Sequence, residues 1–170
     1  MAPRAKSLDR QKGGLMKAAG TYVESNRSLC PEGMRLIFTA SQEGVRGALG
    51  DLRAYFRAIE LCEDACGTVE IVLAEALNNV AEHAYAMSGH GEIELQITLD
   101  ADSLRANIID KGAPLPGLDL PRGDPPCLSP DGELPEGGFG WFMIRRLTSA
   151  LNYRRADGRN HLHIEVGLSG

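Results

Sequence analysis

Two runs of alternating residues, set side by side, constrain the fold of this chain most. Ile93, Leu95, Ile97 and Leu99 alternate with polar residues, Asp100-Ala101-Asp102-Ser103 turns the chain, and Leu104, Ala106 and Ile108 alternate in their turn. A period of two marks a half-buried strand, and a tight turn between two such runs makes an antiparallel hairpin. A second hairpin closes the sequence: Tyr153–Arg155, a turn at Asp157-Gly158, then Leu162, Ile164, Val166 and Leu168. A doubly wound parallel sheet requires strands and helices to alternate, which this order does not do.

Three helices fit around the hairpins. Met34–Ala40 reads as a strand, Ser41 takes the N-cap position, and Val45, Leu49, Leu52, Phe56 and Ile59 follow at helical spacing. From Asp64 to Met87 the residues Val69, Val72, Leu73, Ala76, Leu77, Val80 and Ala84 trace the apolar face of a second helix. A third is predicted from Gly140 to Leu151. The order β-α-α-β-β-loop-α-β-β predicts an α/β two-layer sandwich: a mixed, mostly antiparallel sheet with the helices on one face. Residues 1–33 lack clean periodicity and read as a mobile N-terminal extension with a short helix around Leu15–Glu24; residues 34–168 form the domain.

Composition narrows the function. With 43% hydrophobic and 24% charged residues over 170 positions, the chain suits one globular core. Its 18 basic and 23 acidic residues argue against direct nucleic-acid binding. No apolar stretch approaches the ~20 residues of a membrane span, and no signal peptide is evident, so a cytoplasmic protein without membrane contact is expected. Cys62 and Cys66 are spaced by four, unlike a CxxC pair, and with Cys30 and Cys127 are read as reduced, packed thiols.

Three groups of residues could carry chemistry. Glu75 and Asn79 lie one turn apart on the second helix, opposite its apolar stripe. They are either a solvated face or a pair sharing one ligand, with the Asn oxygen suited to Mg²⁺ and the Glu to a hydroxyl proton. Asp110 follows Leu104, Ala106 and Ile108 in steps of two, and Gly112 comes next but one. Either the strand turns outward at its Asp, or a carboxylate ends a core-facing row and needs partners there. Gly137-Gly138-Phe139-Gly140 precedes the third helix, where free backbone N–H groups and the helix N-terminus can receive an anion. Between the last two groups, residues 111–140 hold 7 of the 9 prolines and 7 of the 20 glycines. A patternless loop of that length in a compact domain is usually functional or disordered.

Taken in order, a Glu-x-x-x-Asn helix, an Asp-x-Gly strand end, a Pro/Gly-rich loop and a Gly-x-Gly helix start resemble the N, G1 and G2 boxes of the GHKL, or Bergerat-fold, ATPase superfamily. The stretch from Glu75 through Asn79 and His83 to Tyr85, and the stretch from Glu136 to Ile144, look most like the anti-sigma-factor serine/threonine kinases of bacterial partner switching. The resemblance covers about residues 34–168. It implies ATP and Mg²⁺ as cofactors. Asn79 would hold the metal, Glu75 would act as base for a substrate hydroxyl, and Asp110 would bond the adenine amino group. Gly112 would make room for the ring, and Gly138, Phe139 and Gly140 would line the phosphate site. Residues 113–136 would be a lid. It further implies an anti-sigma antagonist of the STAS type as substrate, a sigma factor as second partner, and a homodimer.

Two departures stand out. The G1 box reads Asp-Lys-Gly-Ala-Pro, without the second glycine of wider GHKL members, and Asn160-His161 stands where many relatives have Gly-Thr. No sequence feature selects a γ-phosphate arginine among Arg145, Arg146, Arg154 and Arg155. A histidine-kinase module would need a phosphoaccepting His upstream of the N box, whereas all four histidines lie beyond Asn79. The alternative is an ATP-binding or degenerate domain that regulates a partner by sequestration without transferring phosphate.

Overall fold

The computed structural model describes residues 28–30, 33–125 and 139–168. Its elements in chain order are β1 (Ser28–Cys30), β2 (Gly33–Thr39), α1 (Gln42–Ala58), α2 (Glu63–Asn79), a π-helical turn (Val80–Ala84), β3 (Glu92–Leu99), β4 (Ser103–Asp110), a 3-10 turn (Pro116–Leu118), α3 (Phe139–Leu147), β5 (Ala150–Ala156) and β6 (Arg159–Gly167). The strands form one six-stranded sheet in the order β1-β2-β3-β4-β6-β5. Every described pairing is antiparallel, so the mixed sheet expected from the sequence is replaced by an all-antiparallel one. β1 adds an edge strand within the stretch read as an extension, where three residues are too few to show a period.

The alternation seen in the sequence becomes one face of this sheet. Leu36 and Phe38 of β2, Ile93, Leu95 and Ile97 of β3, Leu104, Ala106 and Ile108 of β4, and Leu162, Ile164 and Val166 of β6 are all buried. Val45, Ala48, Leu52 and Phe56 of α1 and Val69, Val72, Leu73, Ala76 and Leu77 of α2 join them in a single apolar cluster. Each fully buried Val, Leu, Ile or Phe side chain among them contributes about 1.5–3 kcal/mol. The opposite face carries polar pairs: Arg35 meets Glu94 at 2.6 Å, and His163 meets Asn107 at 2.9 Å. Asp110 and Asn160 are the buried polar residues among those described, each 4% exposed, and both lie on the core-facing side.

Helix ends follow local chemistry. Ser41 caps α1 as expected, its hydroxyl accepting from Gly44 N at 3.1 Å. α2 stops at Asn79, and the wider π turn after it shifts the facing by one residue. Ala81 is therefore fully buried while Val80 and Ala84 are only half-buried. α3 ends at Leu147, not at Leu151. The Thr148 hydroxyl donates to Ile144 O at 2.8 Å, Ser149 N donates to Glu165 O at 2.8 Å, and Leu151 already pairs with Ile164 in the sheet. Among the described residues no helix is long and apolar enough to cross a membrane. Of the expected lid, residues 113–125 are described and the remainder lies outside, as does the helix expected around Leu15–Glu24.

Candidate functional site

The strand ends, the π turn and α3 converge on a cavity of about 420 Å³, within the size range of small-molecule and cofactor pockets. Asp110 is part of its lining. β4 and β6 run in a register that sets Asp110 directly opposite Asn160. Asn160 Nδ2 donates to Asp110 Oδ1 at 2.8 Å, and the Gly112 N–H donates to the same oxygen at 2.7 Å. The strand therefore does not turn outward at its carboxylate; the group stays inside and is held there. Burial pushes the Asp110 carboxyl above the ordinary carboxylate value, against the opposing pull of the Asn160 and Gly112 hydrogen bonds and the Arg155 and His161 charges. A buried acceptor held in place on a cavity wall is suited to an amino group on a ligand.

Gly112 plays its part from behind. A side chain there would collide with Ala84, its Cβ coming within 2.6 Å of the Ala84 carbonyl oxygen. The space made by the missing side chain thus admits the π turn rather than a ligand ring, and Ala113 N donates to Ala84 O at 3.0 Å to lock the contact. Tyr85, just past that turn, ties the same corner: its hydroxyl accepts from Lys111 N at 2.9 Å and donates to Glu92 O at 3.2 Å. Burial pushes its phenol above the usual value.

Asn79 also lines the cavity, as does His83. α3 begins directly over α2 here. A Cβ on Gly140 would stand 2.7 Å from Glu75 Oε2 and 3.4 Å from Asn79 Nδ2, so only glycine allows this approach. The structure thus brings Glu75, Asn79 and Gly140 together, with Glu75 just beyond the cavity lining. Phe139, the first residue of α3, is 38% exposed and does not line the cavity. Gly138 lies outside the described residues.

The Asn79 side-chain nitrogen is buried and has no hydrogen-bond partner among the described residues. An orphaned amide costs about 1–3 kcal/mol, which a ligand would recover. A half-turn exchanges its nitrogen for its oxygen, so the position fits a hard cation that also takes phosphate oxygens, as Mg²⁺ does.

The first part of the expected lid forms the cavity's outer wall through Ala113, Pro114, Leu115, Pro116 and Pro121. Arg145 of α3 holds this wall, donating to Pro121 O at 2.7 Å and to Leu120 O at 3.4 Å. Arg155 instead serves the Asp110 end, donating to Asn160 Oδ1 at 2.6 Å and to Gly112 O at 3.0 Å. The sequence reading assigned no role to Asn160, Tyr153, Trp141 or Leu115. Only the β4–β6 register, which no short-range pattern encodes, sets Asn160 against Asp110.

Residues 38–166 match the family model described as the histidine kinase-like ATPase domain. The chain is 27% identical over 119 residues to an anti-sigma F factor of Bacillus licheniformis, spanning 70% of this chain and 80% of that protein. It is 32% identical over 98 residues to the serine/threonine-protein kinase BtrW of Bordetella bronchiseptica, spanning 56% of this chain and 66% of the kinase. The crystal structure of the RsbU and RsbW domains of Rv1364c from Mycobacterium tuberculosis superposes with a TM-score of 0.54 at 18% identity. That match covers 78% of this chain and 32% of the longer one, and it speaks for the fold alone.

Proposed function

This chain belongs to the histidine kinase-like ATPase family, and on that premise we propose that it is an ATP- and Mg²⁺-dependent serine/threonine protein kinase that also acts as an anti-sigma factor. Its substrate is a STAS-type antagonist protein, its second partner is a sigma factor, and its working form is a homodimer. The observation that carries the reading is one cavity lined both by the buried Asp110 carboxylate and by Asn79. The Asn79 side-chain nitrogen has no hydrogen-bond partner among the described residues, and Asn79 lies beside Gly140 together with Glu75. The relatives named an anti-sigma factor and a serine/threonine-protein kinase support the partner and the reaction class.

Each residue has a physical task. The Asp110 carboxylate accepts from the adenine amino group, which a base with a carbonyl at that place cannot satisfy. Asn79 offers an oxygen to Mg²⁺, whose charge, when bound, offsets that of the phosphates. The α3 N-terminus presents its free N–H groups to the same phosphates. Glu75 takes the proton of the substrate hydroxyl as its oxygen bonds to the γ-phosphorus; the bond to the bridging oxygen breaks, and ADP leaves. Because phosphoryl transfer is mostly positioning and charge stabilisation, this small set suffices.

The test is transfer of labelled γ-phosphate to a STAS-type partner by wild type and by Glu75→Gln. The expected outcome is phosphoserine or phosphothreonine with wild type. Glu75→Gln should bind ATP normally and transfer it about 10²–10⁴-fold more slowly, the usual scale for a removed base. Equal transfer by both proteins removes Glu75 as the base. ATP binding without any transfer by wild type favours regulation by sequestration.

A further inference from the structure

One amide ties the Asp110 end of the cavity together. Asn160 Nδ2 donates to Asp110 Oδ1 at 2.8 Å and to the Ala113 carbonyl at 3.1 Å. Its Oδ1 accepts from the Tyr153 hydroxyl at 2.8 Å and from Arg155 Nη1 at 2.6 Å. Both of those partners continue to the start of the lid: Tyr153 Oη accepts from Leu115 N at 3.1 Å, and Arg155 Nη1 donates to Gly112 O at 3.0 Å. The amide thus uses both of its protons and both of its lone pairs. A hydroxyl has one proton and a carboxylate has none, so neither Thr nor Asp could make the same set of bonds.

We propose that Asn160 is a positioning residue that fixes the Asp110 carboxylate and the lid root, Gly112–Leu115, as one unit. Base recognition and the position of Gly112–Leu115 are then set by the same side chain. With Oδ1 occupied by Asn160 and by Gly112 N, the carboxylate keeps the capacity of Oδ2 for the ligand. The role in recognition rests on reading the cavity as an ATP site; the clamp on the lid root does not.

Asn160→Asp separates positioning from bulk stability. It sets two carboxylates against each other, and such a pair retains a shared proton to higher pH than either group alone. Protonated Asp at 160 still donates to Asp110, whereas the ionised form repels it. The other titratable or charged groups here are Arg155 and Tyr153 from β5, His161 from β6, and Tyr85, Lys111 and His83 from the ends of the π turn and β4. All are common to both proteins; the ratio of variant to wild-type affinity removes the titration of ATP itself and isolates the change made at Asp110 and position 160.

The experiment measures Mg-ATP affinity by calorimetry for wild type, Asn160→Asp and Asn160→Ala between about pH 5 and pH 8. Hydrogen exchange at the Gly112 and Leu115 amides is followed without nucleotide. Asn160→Asp should approach wild-type affinity at the acid end and fall roughly tenfold or more below it at the alkaline end. Asn160→Ala should bind roughly tenfold more weakly at the alkaline end, without the recovery toward wild type that Asn160→Asp shows at the acid end. Both variants should exchange Gly112 and Leu115 faster. If the alanine variant does not fold, Tyr153→Phe, which removes only the hydroxyl, should still speed exchange at Leu115. A flat Asn160→Asp ratio near one, with wild-type exchange at both amides, overturns the proposal. If wild type binds no ATP, the cavity reading fails by itself; unchanged exchange then refutes the clamp, and faster exchange supports it.

Discussion

Asp110 shows what a single residue costs and supplies. Burial raises its carboxyl pKa in the fold, so between the ordinary carboxylate value and the raised one the folded state binds more protons than the unfolded state. Stability therefore falls as pH rises through that window, and above it the full cost of the buried charge is present. Asp110→Asn keeps an oxygen for Asn160 and Gly112 while removing the charge. Its melting temperature without ligand should exceed that of wild type at neutral pH, by the equivalent of about 0.5–2 kcal/mol, and the gain should vanish below the ordinary carboxylate range. The same variant should lose ATP affinity roughly tenfold or more, since an amide nitrogen replaces the acceptor for the adenine amino group. Paired thermal scans and titrations check both halves; a variant that is less stable at neutral pH and binds ATP normally contradicts the account. The step-of-two pattern ending at Asp110 could be read in the sequence, since inward facing depends only on strand alternation. Its partner could not, because Asn160 lies fifty residues away and reaches it through strand register.

Between elements, the key contact is α3 on α2. Gly140→Ala sets two effects against each other. Alanine favours helix by about 1 kcal/mol over glycine, but its Cβ would meet Glu75 Oε2 at 2.7 Å, and overpacking costs about 1–3 kcal/mol. Because the obstructing atom ends a flexible side chain, Glu75 should swing aside and the fold should survive. Melting should therefore shift by no more than a few degrees, while phosphate transfer should fall at least tenfold; unchanged transfer contradicts the placement of Glu75. Leu77→Ala, in the fully buried face of α2, should cost about 2–5 kcal/mol by denaturant unfolding. The helices themselves were legible because the stripes from Val45 to Phe56 and from Val69 to Leu77 repeat at 3.6. Their ends were less so. The spacing of Ile144, Leu147 and Leu151 suits a helix, yet Thr148 and Ser149 bond the chain out of α3 and Leu151 enters a strand. The π turn was invisible for a similar reason, since one extra residue per turn leaves no mark in composition.

At the scale of the molecule, the antiparallel strands and the three α-helices among the described residues leave a single side of the sheet to build both core and cavity. Apolar residues fill that side, and Asp110 and Asn160 close one margin of it. The sandwich follows from element order alone, whereas the all-antiparallel pairing and the β1 edge rest on long-range strand pairing that element order does not encode. A site divided among α2, β4, the lid root and α3 should couple ligand binding to global stability. At about 100 times its dissociation constant, Mg-ATP should stabilise the fold by about 2.7 kcal/mol, a rise in melting temperature of roughly 5–11 °C for a chain of this size.

The most direct measurement is calorimetric titration of ATP, with and without Mg²⁺, into wild type and Asn79→Ala. Wild type should bind ATP and Mg²⁺ should strengthen binding, whereas in Asn79→Ala the Mg²⁺ enhancement should be largely lost. No binding to wild type, or an equal Mg²⁺ enhancement in both proteins, contradicts this reading of the cavity.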